Sequence, residues 1–177
     1  MTPLSFDALV RLIEEDRVPD LAQHLPSFQA HAASADINGR TLLHLAAHNQ
    51  SGDALQWLLD NQIGKIDAPD NHGETPLMRA AWLGYKEAVA ILLASGARLD
   101  TVSAVGGTPL HFAYAGGTPA LSVVGDLLAA GANKEALDRN GNPPGQWAIQ
   151  AEIRERGAAL LAHHENRGRL SMPRKAS

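Results

Sequence analysis

The sequence predicts an all-α protein built as a solenoid, in which similar helix–turn–helix units stack side by side. Two sets of repeated features support this prediction. A turn-forming tetrapeptide recurs at intervals of 34, 33 and 35 residues, at 36–39, 70–73, 103–106 and 138–141. Paired leucines recur with nearly the same spacing, at 58–59, 92–93, 127–128 and 160–161. Because both features keep a common register, the repeat extends over most of the chain.

The unit is clearest in residues 70–97. Its turn is followed by Thr75, which can cap a helix, and by Pro76, which is suited to the first helical position. Gly84 allows the chain to reverse, and Gly96 is the residue expected just after a second helix, because glycine accepts positive φ. Neither helix is long enough to be stable alone in water, so each needs a neighbour.

A matching line follows every turn: TLLHLAA from Thr41, TPLMRAA from Thr75, TPLHFAY from Thr108 and a degraded PPGQWAI from Pro143. A period of about 33 residues with a β-turn, two helices and a T-P-L-H line is the signature of ankyrin repeats. Residues 36–164 therefore resemble the ankyrin family. The resemblance implies an all-α ankyrin-repeat solenoid with stacked helix pairs and projecting hairpins.

The units are assigned in chain order. In the N-terminal helical cap, Ser5 is predicted to cap the first helix, Pro19 to open a second and Pro26 to end it. The tail is expected to be disordered, since it has four basic residues, glycine and proline but no acidic residue. The boundaries are 1–35 for the cap, 36–69, 70–102 and 103–137 for three repeats, 138–165 for a degraded repeat or C-terminal cap, and 166–177 for the tail.

Each repeat departs from the family pattern. Leu42 replaces the usual proline, so the first turn of that helix loses a fixed φ. Gln62 stands where a helix-ending glycine is usual, and Gly64 is predicted to substitute for it. Met78 replaces the motif histidine of the second repeat, and the third repeat has two extra residues within 115–120.

Composition excludes several classes of protein. With 177 residues, 45% hydrophobic and 19% charged, the chain is globular in composition, and one domain is expected. A net charge of −4 argues weakly against nucleic acid as the main partner. No cysteine is present, so disulfides and thiolate chemistry are excluded. The sequence also shows no signal peptide and no apolar run of about 18 residues, so we expect a cytoplasmic protein without a membrane partner.

The motif histidines, His44 and His111, are interpreted as structural residues. In the resembled family, the residues matching His44 and His111 link the motif threonine to a neighbouring backbone carbonyl. No carboxylate or second histidine recurs at a spacing useful for a metal, and the adjacent His163 and His164 point in different directions on a helix. The glycine pairs at 106–107 and 116–117 follow no strand and are assigned to turns. We therefore expect no enzyme, cofactor, metal or small-molecule substrate.

The resemblance also implies which side chains meet a protein partner: those near the hairpin tips and those ending the first helix of each repeat. At the matching positions, the predicted partner-binding residues are Ile37, Asn38, Arg40, His48, Asn49, Asn71, His72, Glu74, Trp82, Leu83, Val105, Tyr114, Ala115, Arg139 and Asn140. Additional matches are Ala104, Gly107 and Gly116 in the third repeat, and Asn142 and Gln150 in the fourth, whose motif is degraded. Trp82 is the most distinctive, and Tyr114 is expected to extend it into an aromatic patch, whereas Trp57 and Trp147 occupy inward positions.

Three functions are weighed. The favoured hypothesis is a non-enzymatic adaptor that binds another protein through a concave, hairpin-bearing face. A more specific alternative of the same kind is an inhibitor or immunity-type protein that occludes an enzyme or toxin. An enzyme or metal-dependent protein is disfavoured, because it needs a polar pocket with perturbed acids. A structural unit that self-associates through the Trp82 and Tyr114 patch is the third.

Overall fold

The computed structural model describes residues 4–117 and 120–152. Their α-helices are α1 (Phe6–Glu14), α2 (Val18–Gln23), α3 (Leu25–Ala30), α4 (Leu42–His48), α5 (Gly52–Asp60), α6 (Pro76–Leu83), α7 (Lys86–Ala94), α8 (Pro109–Ala115) and α9 (Val124–Ala129). A 3-10 helix, Ala120–Val123, precedes α9, and residues 144–152 are also helical. Because no strand occurs in these ranges, the predicted all-α class is confirmed.

The helices stack in two parallel rows. The first row contains α1, α4, α6 and α8, each packed against the next. The second row contains α2, α5, α7 and the 3-10 helix, packed in the same order. The helix pair of the cap therefore extends both rows, and the arrangement is the solenoid predicted from the period.

One continuous apolar core joins the repeats. Alanines of the first row, including Ala46, Ala80 and Ala113, are fully buried, and their small side chains allow close helix packing. The larger buried side chains of this cluster include Leu9, Ile13, Leu43, Leu55, Leu77, Leu92, Leu110 and Leu127. Each such burial contributes roughly 1.5–3 kcal/mol, and much of it lies between neighbouring units, so one unit alone has too little core.

The cap differs from its prediction at Pro26. The Ser5 hydroxyl accepts the Ala8 N–H at 3.4 Å, as expected for the cap of α1. Pro26, however, does not end a helix; it lies in the first turn of α3. A proline there removes an N–H that the helix leaves free anyway, so the same residue can begin a helix as well as stop one. The new helix buries Phe28 against Trp57, with ring centroids 5.1 Å apart.

The end of α5 also corrects the prediction for Gly64. Gln62 itself adopts the left-handed conformation, at φ 56°, and the Ile63 N–H closes the helix end onto the Leu58 carbonyl at 2.8 Å. Gly64 is left-handed as well, at φ 87°, but after this closure. Gln62 therefore fills the place of the usual glycine without a substitute.

Several predictions fall outside the described ranges: the leucine pair 160–161, His163 and His164, and the tail 166–177 with its four basic residues. In the part of the chain that the structure describes, no helix is both long and apolar enough to cross a bilayer.

Candidate functional site

Each hairpin tip is held by the side chain that opens it. One carboxylate oxygen of Asp36, Asp70 and Asp138 accepts two backbone N–H groups across its turn, at 2.8–2.9 Å. In the third repeat, Ser103 takes this place, and its hydroxyl accepts the Gly107 N–H at 3.3 Å. A carboxylate therefore holds three of the described tips more firmly than the hydroxyl holds the other.

Hydrogen bonds between backbones fix the tips relative to one another. The Asn71 N–H donates to the Asn38 carbonyl at 3.0 Å, and the Ala104 N–H donates to the His72 carbonyl at 2.8 Å. Arg139 donates in the same way to Val105, at 3.2 Å. We call the surface made by these tips and by the adjacent ends of α4, α6 and α8 the hairpin face. Its backbone is tied together along the whole described array.

The predicted partner-binding residues lie on or beside the hairpin face with different exposure. Ile37 is 94% exposed, Val105 53% and Trp82 40%. The other exposed members are Asn38, Asn49, Asn71, His72, Arg139 and Asn140, and the half-buried members are Arg40, His48, Glu74, Leu83, Tyr114 and Ala115. These residues remain predictions as partner contacts.

Two of the additional matches are packing positions instead. Gly107 is buried, and a Cβ there would lie 2.6 Å from the ring of Trp147. A Cβ at Gly116 would collide with the backbone carbonyl of Trp82. Both glycines are needed because neighbouring units approach closely, and they offer no side chain to a partner.

In the first hairpin, the second oxygen of the opening carboxylate is fully satisfied. Arg40 Nε donates to Asp36 Oδ2 at 2.8 Å, and Arg40 Nη2 lies 2.7 Å from the same oxygen as an ion pair. Burial alone would raise the pKa of Asp36, but the hydrogen bonds from Arg40 and Asn38 outweigh it and lower this pKa. The first tip is therefore closed by its own residues.

The fourth hairpin reaches the same result with different donors. The Trp147 indole N–H donates to Asp138 Oδ2 at 2.8 Å, and the Asn142 amide donates to it at 3.3 Å. Burial opposes ionisation of Asp138, but the backbone of Asn142, the indole and the other donors lower its pKa to about 2. Trp147 also packs edge-on against His111, with centroids 5.0 Å apart, which agrees with its inward position.

The second hairpin lacks this closure. Glu74 occupies the position of Arg40, and Asp70, only 8% exposed, has no donor at Oδ2. Arg79 Nη2 lies 3.1 Å from Glu74 Oε2 as an ion pair, without the geometry of a hydrogen bond. Across the described residues, the buried side-chain polar atoms without a hydrogen-bond partner are His48 Nδ1, Asp70 Oδ2, Glu74 Oε2 and Arg79 Nε. We call these four side chains the polar cluster.

Burial and mutual charge set the ionisation of the polar cluster. Burial raises the pKa of Glu74, and the neighbouring Asp70 adds to this effect while Arg79 opposes it. Burial also lowers the pKa of His48, with further contributions from Arg79 and Arg40, so His48 is neutral near pH 7. The cluster thus combines two carboxylates, one guanidinium and one neutral imidazole.

Trp82 borders the polar cluster. The guanidinium carbon of Arg79 lies 5.6 Å from the centroid of its ring. Among the described residues, the ring contacts join other pairs, and none links Trp82 to Tyr114. The aromatic partner expected for Trp82 is therefore replaced by a cation.

The two motif histidines link successive repeats. His44 Nδ1 meets the Thr41 hydroxyl at 2.9 Å, and its Nε2 meets the Glu74 carbonyl at 2.9 Å. His111 makes the same pair of contacts to Thr108 and Asn142. Both rings are completely buried, so the structural role implied by the resemblance is confirmed.

Sequence reasoning missed Asp70 and Arg79 as members of the site. A signal was present: the residue four places after the opening aspartate changes from Arg40 to Glu74, so a hairpin cation becomes an anion. This difference predicts an unpaired carboxylate only once the structure shows that the Arg40 guanidinium closes the first tip.

Comparisons with known proteins agree with the architecture. A family model for ankyrin repeats, in three copies, matches residues 9–103. The chain is 34% identical over 125 residues to neurogenic locus notch homolog protein 1 of Mus musculus, covering 71% of this chain and 5% of that protein. It is 30% identical over 151 residues to neurogenic locus notch homolog protein 2 of Homo sapiens, covering 78% and 6%.

The B-cell lymphoma 3 protein homolog of Mus musculus is 34% identical over 145 residues, covering 80% of this chain and 31% of that protein. The chain thus spans less than a third of the length of each of these curated relatives.

Proposed function

Because the chain belongs to the ankyrin repeat family, we propose that it is a non-enzymatic adaptor that binds another protein through its hairpin face. The observation that carries the proposal is the contrast between backbone and side chains on this face. Backbone hydrogen bonds hold the tips in a fixed row, while the exposed side chains at matching positions differ from repeat to repeat. A rigid backbone that presents different side chains in each repeat favours binding of one particular partner surface. Little conformational freedom is then lost on binding.

Trp82 supports the same surface. It is 40% exposed and lies on α6, between the first-row helices α4 and α8. Tryptophan is enriched among the residues that dominate the energy of protein interfaces, and these residues cluster near interface centres. We therefore take Trp82 as the centre of the contact surface.

The test is affinity capture with three immobilised proteins: wild type, Trp82→Ala and Leu128→Ala. Leu128 is a matched control, because it is 38% exposed and lies on α9 rather than on a first-row helix. We expect Trp82→Ala to reduce recovery of the partner about tenfold or more, and Leu128→Ala to retain it. Circular dichroism and urea unfolding establish that all three proteins are folded.

Equal recovery with all three folded proteins would reject the hairpin face. Sedimentation of wild type and Trp82→Ala addresses the rival function, self-association. A concentration-dependent dimer that Trp82→Ala abolishes would identify a second copy of the chain as the partner and would replace the adaptor proposal.

A further inference from the structure

We propose that the polar cluster is the anchor point for a basic side chain, arginine in particular, of the partner protein. The proposal rests on the function proposed above, since it places the partner on the hairpin face. It adds the chemistry that the partner presents there: a guanidinium group that donates N–H groups to Asp70 and Glu74.

The first argument is the comparison of equivalent atoms in three hairpins. Asp36 Oδ2 accepts one N–H of the Arg40 guanidinium, and Asp138 Oδ2 accepts an indole and an amide N–H. Asp70 Oδ2 occupies the same position and is buried without a donor. The two satisfied hairpins show which chemistry fits this position, namely one or two N–H groups, and the first shows that a guanidinium satisfies it.

The second argument is charge. Asp36 and Arg40 neutralise each other within the first hairpin. In the second, Arg79 acts on Glu74 as a guanidinium, with a smaller contribution from His72, while Asp70 adds a second negative charge, so the two carboxylates outnumber the guanidinium. Two carboxylate oxygens also lack hydrogen bonds there. A basic side chain supplies both the missing charge and the missing donors, whereas an acidic one would add to the repulsion.

The third argument is that the energetic cost of burying these groups is already present in the free protein. A buried polar group without a partner is less stable than the same group hydrated. A ligand that satisfies it recovers that cost on binding, so the cluster is prepared for its ligand in advance. Trp82, which is 40% exposed, adds an aromatic ring on which the incoming guanidinium can stack.

Access to the cluster requires only side-chain movement. Its members Arg79 and Glu74 are more accessible than Asp70, since their side chains are 20% and 18% exposed. Their contact at 3.1 Å has poor hydrogen-bond geometry, and Arg79 Nε has no acceptor. An incoming guanidinium therefore displaces a weak contact between two half-buried side chains while the hydrogen-bonded backbone of the tip stays in place.

The experiment uses the full chain labelled with nitrogen-15 and a hexa-arginine peptide as the probe. The indole N–H signals of Trp57, Trp82 and Trp147 report on three separate places in the fold. Titration at about 0.15 M salt suppresses long-range attraction between exposed charges, which is screened beyond about 8 Å. We expect the Trp82 signal to shift saturably, the other two to stay fixed, and a hexaglutamate peptide to have no effect.

The decisive variant is Glu74→Arg, which copies the first hairpin and allows the chain's own guanidinium to reach Asp70. We expect it to fold and to weaken hexa-arginine binding about tenfold or more. Glu135→Arg makes the same change in charge at an exposed position outside the cluster and is expected to bind within about twofold of wild type. Glu74→Gln, which keeps the size of the side chain, is expected to weaken binding in the same direction and serves if Glu74→Arg fails to fold.

Three results would overturn the proposal: hexa-arginine binding that Glu74→Arg and Glu135→Arg change equally, a Trp82 shift produced by hexaglutamate instead, or no indole shift at millimolar peptide. One further result distinguishes this proposal from the proposed function. If the peptide test fails while Trp82→Ala still abolishes partner capture, the hairpin face binds its partner through other chemistry and the proposed function stands.

Discussion

The first and second repeats have the same backbone plan, but they leave different parts of it unsatisfied. In the first repeat, Arg40 closes the carboxylate of Asp36, whereas in the second the equivalent oxygen of Asp70 has no donor. At the helix ends, the first repeat is the one with the less favourable residues. Gln50 and Gln62 adopt φ 56° in the first repeat, where the second has Gly84 and Gly96.

The left-handed glutamines of the first repeat and the unsatisfied polar atoms of the second have energetic costs of similar size. A bound partner can relieve only the second of these costs. A non-glycine residue in the left-handed region costs roughly 1–2 kcal/mol, and a buried polar atom without a hydrogen bond costs roughly 1–3 kcal/mol. Strain in the backbone of Gln62 is a fixed property of the fold. The unsatisfied atoms of the second repeat are buried in side chains next to the hairpin face, where the proposed ligand would satisfy them.

The largest expected difference between the two repeats is at the opening aspartates. Asp36→Ala removes the acceptor of two backbone N–H groups and also leaves Arg40 without its partner, so we expect a loss of about 2–4 kcal/mol. Asp70→Ala loses the same backbone contacts but removes an unsatisfied oxygen as well, so we expect a loss of about 1–2 kcal/mol. The free energy of unfolding in urea measures both.

A double-mutant cycle separates the charged contact from the backbone contacts. Arg40→Ala should couple strongly to Asp36→Ala, because the Arg40 guanidinium both donates to Asp36 Oδ2 and pairs with its charge. Losses of equal size for Asp36→Ala and Asp70→Ala would show that the Arg40 contact adds nothing to stability, and the comparison between the hairpins would then lose its energetic basis.

The next effect concerns the link between the repeats. His44→Met copies Met78 into the first repeat and removes the contact from the imidazole to the Glu74 carbonyl. That carbonyl still accepts the Asp70 N–H at 2.8 Å, so we expect a moderate loss of about 1–2 kcal/mol near pH 7. Unfolding in urea measures it.

The pH dependence sharpens this prediction. Burial lowers the pKa of His44 in the folded state, so the unfolded state, with a pKa of about 6.5, takes up a proton first as the pH falls. Wild type should therefore lose stability below about pH 6.5, by up to about 1.4 kcal/mol per pH unit for this one group. His44→Met should flatten the profile between about pH 7 and 5, leaving the contribution of His48, whose pKa is also lowered. Parallel profiles for the two proteins would contradict the assignment.

The features that could be predicted from sequence are those with local causes. Thr75 and Gly96 act within one or two turns of chain, so their roles at helix ends follow from residue type. The role of Pro26 does not follow from residue type, because a proline can either end a helix or begin one, and only the packing of the neighbouring residues decides. The polar cluster was missed for a different reason: it joins His48 to Arg79, on separate repeats, and becomes visible only when equivalent hairpins are compared atom by atom.

The smallest effect tests the strain in the first repeat. Gln62→Gly should relieve the left-handed backbone by roughly 1–2 kcal/mol, while glycine also gains freedom in the unfolded chain, so the net stabilisation should be about 0.5–1 kcal/mol. Gly96→Gln is the reverse change in the second repeat. A Cβ at Gly96 meets no atom within 4 Å, so its expected cost of about 1 kcal/mol isolates the backbone conformation from any clash. If the urea midpoint moved in the same direction for both variants, the glutamine would contribute through its side chain rather than its backbone, and the first repeat would not carry the strain that distinguishes it from the second.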